Sequence, residues 1–551
     1  DTDSDSVGDN GDNCPAVANT DQTDTDADGT GDECDADKDG DTLANEVDNC
    51  PLVANADQMD SDVNGSGDAC DAMPTVYAYD NSAFPESDSS VSYTGQTARQ
   101  VLIADMAHYM QNILVEDTAV PVADKVAAMS FFVYGTDADV ADTLIGSYIK
   151  DAANVTLKDA ATYGDISTGK NLHKKIAGGD GEGGGETSRL IDGEFFGWDE
   201  GSPALPIDLV NHWIQKQAEL ASDGVATIVV DATGASSAAH VNVDAHGRNY
   251  RQLMQKFLMG AVNFSQGTND YFMTNFIGTN SDGINYIAAQ DGTKAYTYAE
   301  HKFDEGFGYY GAARDGMDYT DLEARAKSGR DEYKNGYHDS NGDGMIDLRS
   351  EYFFGHSQNC AKRDAGSASG PNPTDFSTEV MVPILAARQI LSNAANKANP
   401  EITEAENTKM QEHIHHASVA WEKCIAATAV HYVNDVLNDI AEYTNGAPAS
   451  VGNFETVAKH WSELKGFALS LQFSPTSPFR DEAVTAVDLD DLKMVLSLIG
   501  DAPVLADGSQ NGVPASGSAE DAVYAYAGKL VKARSIMQEA YGFSDHNTVT
   551  W

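Results

Sequence analysis

Long apolar runs are missing from this 551-residue sequence, and the longest stretches, such as Val380–Ala387, are far shorter than the roughly 18–20 residues a membrane-spanning helix needs. No membrane span is predicted. Cations are scarce: 34 Lys and Arg stand against 87 Asp and Glu, a formal net charge of −53, so nucleic acid and anionic membranes would be repelled. There is no Gly-x-Ser-x-Gly elbow and no His-Glu-x-x-His helix, and the glycine-rich stretch Gly178–Glu186 lacks the Lys-Ser pair of a nucleotide loop. With no catalytic constellation, no enzyme activity is predicted. Strand-like alternation is confined to Gly224–Asp231. No leader precedes Asp1 and no Met opens the chain, which reads as a mature, processed product.

What is present is concentrated at the start. Residues 1–73 hold 22 of the 87 acids and a single base, Lys38, with almost nothing apolar to bury. A hydrophobic core cannot hold such a segment together, so something else must. Asp12-Asn13-Cys14-Pro15 recurs as Asp48-Asn49-Cys50-Pro51, Asn19 and Gln22 recur as Asn55 and Gln58, and Gly31-Asp32-x-Cys34-Asp35 recurs as Gly67-Asp68-x-Cys70-Asp71, all at a period of 36 residues.

Between these anchors the acids alternate. Asp24, Asp26, Asp28, Gly29, Asp32 and Asp35 fill positions 1, 3, 5, 6, 9 and 12 of a calcium loop, and Asp60, Asp62, Asn64, Gly65, Asp68 and Asp71 repeat them. A hard cation that takes six to eight oxygens is wrapped by this spacing, with a backbone carbonyl at position 7 and glycine making the sharp turn. Two further copies depart from the pattern. Asp1, Asp3, Asp5, Asp9 and Asp12 have Ser6 in place of the glycine, and Asp37, Asp39, Asp41, Asn45 and Asp48 have Thr42 there. The latter also fits two residues earlier, as Asp35, Asp37, Asp39, Gly40 and Glu46.

These residues resemble the thrombospondin type 3 repeat over about the first 71 positions. The resemblance implies several Ca2+ ions in place of a core, an extracellular setting, and pairing of Cys14 with Cys34 and of Cys50 with Cys70, each bridge worth roughly 3 kcal/mol. In an oxidising compartment the two remaining cysteines, Cys360 and Cys424, would most simply pair, the alternative being two buried thiols.

After Met73-Pro74 the composition turns to periodic apolar segments. Helices are predicted over Thr97–Glu116, Val122–Tyr134, Ile207–Ser222, Tyr250–Val262, Thr378–Asn396, Glu401–Tyr443, Glu455–Leu471, Asp488–Leu498 and Ala519–Ala540, with glycine-rich loops at Gly178–Glu186, Gly278–Gly283, Gly366–Thr374 and Gly508–Gly517. The fold class is therefore mainly α: a core-less calcium-stabilised segment, 1–73, followed by a large helical domain, 74–551. Inside that domain Asp339, Asn341, Asp343, Gly344 and Asp347 form another calcium loop, with the Met345 carbonyl at position 7. Position 12 is Ser350, so Glu351 or an outside carboxylate is expected to close the site.

Phrases such as Phe303-Asp304-Glu305-Gly306-Phe307-Gly308-Tyr309-Tyr310-Gly311 and His460-Trp461-Ser462-Glu463-Leu464-Lys465-Gly466-Phe467 resemble an uncharacterised bacterial family, the domain of unknown function 4856, and more distantly imelysin-like helical proteins. Membership implies a secreted or surface-attached helical protein and no known reaction. Three pairs have imidazole–carboxylate ligation spacing: His301 with Glu305, His460 with Glu463, and His415 with Glu422. The Gly-x-His-x-x-Glu motif of imelysins is absent, and His301-x-x-Asp304-Glu305 is a distorted echo of it. Histidine at an aromatic-rich helix contact is more often a buried hydrogen-bonding residue.

The sequence thus predicts a secreted calcium-binding structural or interaction protein of the bacterial cell surface. Its expected partners are copies of itself, as a homo-oligomer or polymer, or another surface component. The competing expectation is an imelysin-like protein that acquires iron, or a metal-dependent enzyme.

Overall fold

The computed structural model describes the chain except residues 115–118, 136–143, 179–189, 223–225, 280–282, 290–293 and 481–485. The end of the first predicted helix, most of Gly178–Glu186, Gly224 and the middle of Gly278–Gly283 lie outside the described residues.

Two compact units emerge. One comprises Asp1–Ser89, Asn275–Glu300 and Ile384–His413; the other comprises Ser90–Thr274, His301–Pro383 and Ile414–Trp551. Within the first, residues 1–73 contain turns and bends but no helix or strand, as expected of a sequence with nothing to bury. This unit holds a buried ion pair. Arg388 and Glu300, both fully buried, meet at 3.1 Å, with the guanidinium over the Tyr79 ring and the carboxylate also accepting from Asn81 Nδ2 and the Thr297 amide.

Elsewhere the chain is helical. Among the described residues eleven α-helices have nine or more residues: α1 Thr94–His108, α2 Val122–Tyr134, α3 Pro206–Leu220, α4 Tyr250–Leu258, α5 Tyr298–Tyr310, α6 Gly355–Ser367, α7 Phe376–Asn396, α8 Glu404–Ile440, α9 Val451–Ser470, α10 Leu489–Ile499 and α11 Ala519–Tyr541. Their ends carry the expected local chemistry. Asp208 caps α3 behind Pro206, Ser450 caps α9, Asp488 and Asp491 form a capping box on α10, and Gly542, at φ 65°, ends α11. The only sheet among the described residues is a hairpin pairing β1, Ile228–Val230, with β2, Ser236–Ala238.

Helices α4 and α9 pack so closely that a Cβ at Gly466 would lie 2.6 Å from Lys256 Cβ. Just past α4, where the chain widens into π-helical turns over Met259–Phe264, a Cβ at Gly260 would overlap Ser470. Trp421 of α8, fully buried, stands against Phe264, Tyr310 and His356, and the Cys360–Cys424 disulfide joins α6 to α8 beside it. The pairing expected from the compartment is thus formed.

Two helices escaped the periodicity reading. α5 carries Gly306 and Gly308, which count against a helix by propensity. Both are required by packing, since a Cβ at Gly306 would overlap the Phe272 ring and one at Gly308 would come within 2.8 Å of Tyr93. α6 is mostly polar and small, so its amphipathic signal is weak.

Candidate calcium sites

Each acidic loop of the repeat is built on one hydrogen-bond grid. In loop 24–35 the Gly29 amide donates to Asp24, the Thr30 amide to Asp28 at 2.7 Å, and the Thr25 amide and hydroxyl to the two oxygens of Asp32. Loop 60–71 repeats these bonds from Gly65 to Asp60, from Ser66 to Asn64 and from Ser61 to Asp68. Loop 1–12 does so through Ser6, Val7 and Thr2, and the segment 37–48 through Thr42, Leu43 and Lys38, where Asn45 takes the place of the position-9 aspartate.

The backbone that this grid demands is left-handed at position 6. Gly29 and Gly65 have φ of 98° and 95°, and the two departures, Ser6 and Thr42, adopt the same turn at 81° and 84°. Segment 37–48 therefore follows the register beginning at Asp37, and Gly40 occupies position 4, not position 6. Thr42 holds a conformation β-branched residues rarely take, a strain the surrounding bonds sustain.

The grid leaves specific oxygens over. One carboxylate oxygen from each of Asp1, Asp3 and Asp5 lies within 4.8 Å of the others, and the same is true of Asp24, Asp26 and Asp28 and of Asp37, Asp39 and Asp41. These are the three such groups among the described residues. Asp3 Oδ2, Asp12 Oδ2, Asp24 Oδ1, Asp37 Oδ1 and Asp39 Oδ2 are buried with no hydrogen-bond donor. Burial, and then the neighbouring Asp41, Asp48 and Asp37 carboxylates, raise the Asp39 carboxyl above its usual range, against the bond from the Asp41 amide. Converging, donorless, like-charged oxygens fit a hard cation and little else. In loop 60–71 the amide of Asn64 reaches Asp62, and Asp62 also accepts from Asn393 Nδ2 of α7 at 2.8 Å.

Between loops, side-chain amides do the work of a core. Gln22 Oε1 accepts from the Asn13 amide while its Nε2 donates to Asp12 and to Asn19 Oδ1, and the Asn19 amide donates to Asp5. Gln58, Asn49, Asp48, Asn55 and Asp41 repeat every one of these bonds. Gly31 and Gly67 admit the knot: a Cβ at either would collide with Asn13 and Asn19, or with Asn49 and Asn55. The disulfides Cys14–Cys34 and Cys50–Cys70 close both copies. Asp12 and Asp48 thereby serve as both loop end and knot, while Asp35 and Asp71 end the other two loops.

The inner loop, 339–351, shares the turn chemistry but differs at its end. Gly344 donates to Asp339, the Asp343 amide to Asn341, and the Met345 amide to Asp343, with Gly342 and Gly344 at φ 72° and 82°. Glu351, nearly fully buried, accepts from the Ser340 amide and hydroxyl and from the Asp347 amide, so it grips position 2 as the position-9 aspartates do elsewhere. Lys158 pairs with Asp343 at 2.7 Å, and Ile346 pairs with the Thr156–Lys158 backbone, fixing the loop to a neighbouring segment.

The histidine pairs singled out by spacing are placed differently. His301 Nδ1 lies 2.8 Å from the Ser92 carbonyl and Asp304 accepts from the Ser92 amide, so both fasten the segment leading into α1, while Glu305 accepts from Gln96 in the first turn of α1. His460 pairs with Asp439 at 2.7 Å, whereas Glu463 lies 3.7 Å from Lys256. His415 is exposed, whereas Glu422 is fully buried against the Tyr541 hydroxyl, and burial lifts its carboxyl to about 7. Spacing did not reveal that Asp435 Oδ2 stands 3.3 Å from His431 Nε2 and 3.7 Å from His460 Nε2. Burial, and then Arg363, push His431 down to about 3, which keeps it neutral there.

The comparisons with known proteins agree with this architecture. Residues 1–22 and 23–58 match the thrombospondin type 3 repeat, a calcium-binding repeat typical of extracellular proteins. Residues 76–327 match the Domain of unknown function (DUF4856). The chain thus matches thrombospondin type 3 repeats at its start and DUF4856 over the following 76–327, and the grid described above continues past the matched repeats to residue 71. The inner loop and the helices from α6 onward lie beyond the matched span. No curated protein matches the chain.

Proposed function

We propose that this chain is a secreted, non-catalytic structural protein of the bacterial surface, whose repeats are set in shape by calcium and which joins copies of itself or another surface component. The observation that carries the reading is the repeat itself: four loops on one grid, three of them with buried carboxylate oxygens that no donor satisfies. Bound divalent ions would neutralise the segment where the acids are densest, so protomers that repel one another at −53 could approach once calcium is present.

Light scattering across a calcium titration tests this. The average mass should rise between chelated buffer and millimolar calcium and fall again on chelation. A monomer at every calcium concentration would end the assembly reading while leaving calcium binding intact.

A further inference from the structure

A cavity of about 320 Å³ opens within the second compact unit, bounded by Tyr310, Tyr319, Asp321, Phe353, Asp375 and Met381. Its size falls at the lower end of the roughly 300–1,000 Å³ of small-molecule sites. Its lining mixes aromatic faces with two carboxylates, and no Lys, Arg or His takes part.

The charge lining it is negative. Asp364, fully buried just behind Ser377, accepts from the Phe376 and Ser377 amides and the Ser377 hydroxyl. Asp375 accepts from the Thr378 amide. The amides that open α7 are therefore already met by carboxylates, and no backbone donor remains there to hold an anion. Burial, and then Asp364 and Asp375, raise the Asp321 carboxyl to about 7, with Arg325 opposing. Tyr310, 1% exposed, lines the cavity. A hydroxyl in that position offers an acceptor to whatever enters.

We infer that this cavity binds a small organic ammonium compound, its charge facing Asp321 and Asp375, its carbon skeleton against Tyr319 and Phe353, and an N–H of a primary amine donated to the Tyr310 hydroxyl. Aromatic faces and carboxylates both attract such a cation, and the apolar wall formed with Met381 favours a ligand with a hydrocarbon part over a bare metal ion.

The test is calorimetric titration of the full chain in calcium-containing buffer with n-butylammonium and with tetramethylammonium, at matched ionic strength. Saturable binding of both is expected, weakened about tenfold or more by Asp375→Asn and by Asp321→Asn. Tyr310→Phe should weaken n-butylammonium and leave tetramethylammonium, which has no N–H, unchanged. Absence of saturable binding to the wild-type chain, or binding indifferent to both aspartate variants, overturns the inference. Should the variants fail to fold, wild-type crystals soaked in 4-bromobenzylammonium, whose aryl bromide cannot be displaced by its amine, decide: bromine in the cavity supports the site, and bromine only elsewhere refutes it.

Discussion

Removing calcium should dismantle residues 1–71 and leave the helices standing. At 2 mM calcium and a dissociation constant of order 10⁻⁴ M, typical of extracellular modules, each occupied loop is stabilised by about 2 kcal/mol, so four loops contribute about 7 kcal/mol in all. The two disulfides limit the unfolded segment by roughly 3 kcal/mol each, but they do not satisfy the oxygens that converge on each site. With chelator present the converging carboxylates repel one another and the Gln22 and Gln58 knots must hold the segment alone. Hydrogen–deuterium exchange read by mass spectrometry is the assay. The amides of Gly29, Thr30, Gly65 and Ser66, each donated to a loop side chain, should lose protection in EGTA. Peptides from α3 and α9, held by apolar packing, should keep theirs. Equal protection of the loop amides with and without calcium would refute the claim that ions replace the core; equal loss in α3 and α9 would refute the independence of the helices.

Other perturbations separate further terms. Glu422, raised to about 7 by burial, favours the folded state below pH 4.5, and that contribution is lost as pH rises from 4.5 through 7. Glu422→Gln should therefore match the wild type in urea unfolding at pH 4 and exceed it by up to about 3 kcal/mol at pH 8; an equal gain at both would contradict the titration. Arg388→Ala takes the guanidinium away from the buried Glu300 carboxylate and should lower unfolding stability by about 3–5 kcal/mol; a loss under about 1 kcal/mol would show the pair to be dispensable. Thr42→Gly relieves a β-branched residue at φ 84°, so calcium affinity in loop 37–48 should rise several-fold by titration, whereas a fall would mean the threonine contributes more than its strain costs.

The repeat was legible because its determinants are chemical identities at fixed spacing: aspartates at 24, 26 and 28, glycine at 29, and cysteines at 14 and 34. The long helices were legible through their apolar period, and Val122–Tyr134 has the predicted ends. The register of 37–48 was not, because Thr42 occupies a turn that composition rules assign to glycine. Helix α5 was hidden by Gly306 and Gly308, whose purpose is close packing against Phe272 and Tyr93, partners distant in sequence. Glu351 offered a ligand by position yet grips Ser340, and the carboxylates around the cavity come from segments far apart in the chain, so no spacing announced them.

Elemental analysis of the chain purified without chelator tests the central claim most directly. The account predicts at least four calcium ions per chain, falling by about one when Asp37 and Asp39 are both replaced by Asn. Stoichiometric iron, zinc or copper lost on His301→Ala, with fewer than two calcium ions bound, would contradict it.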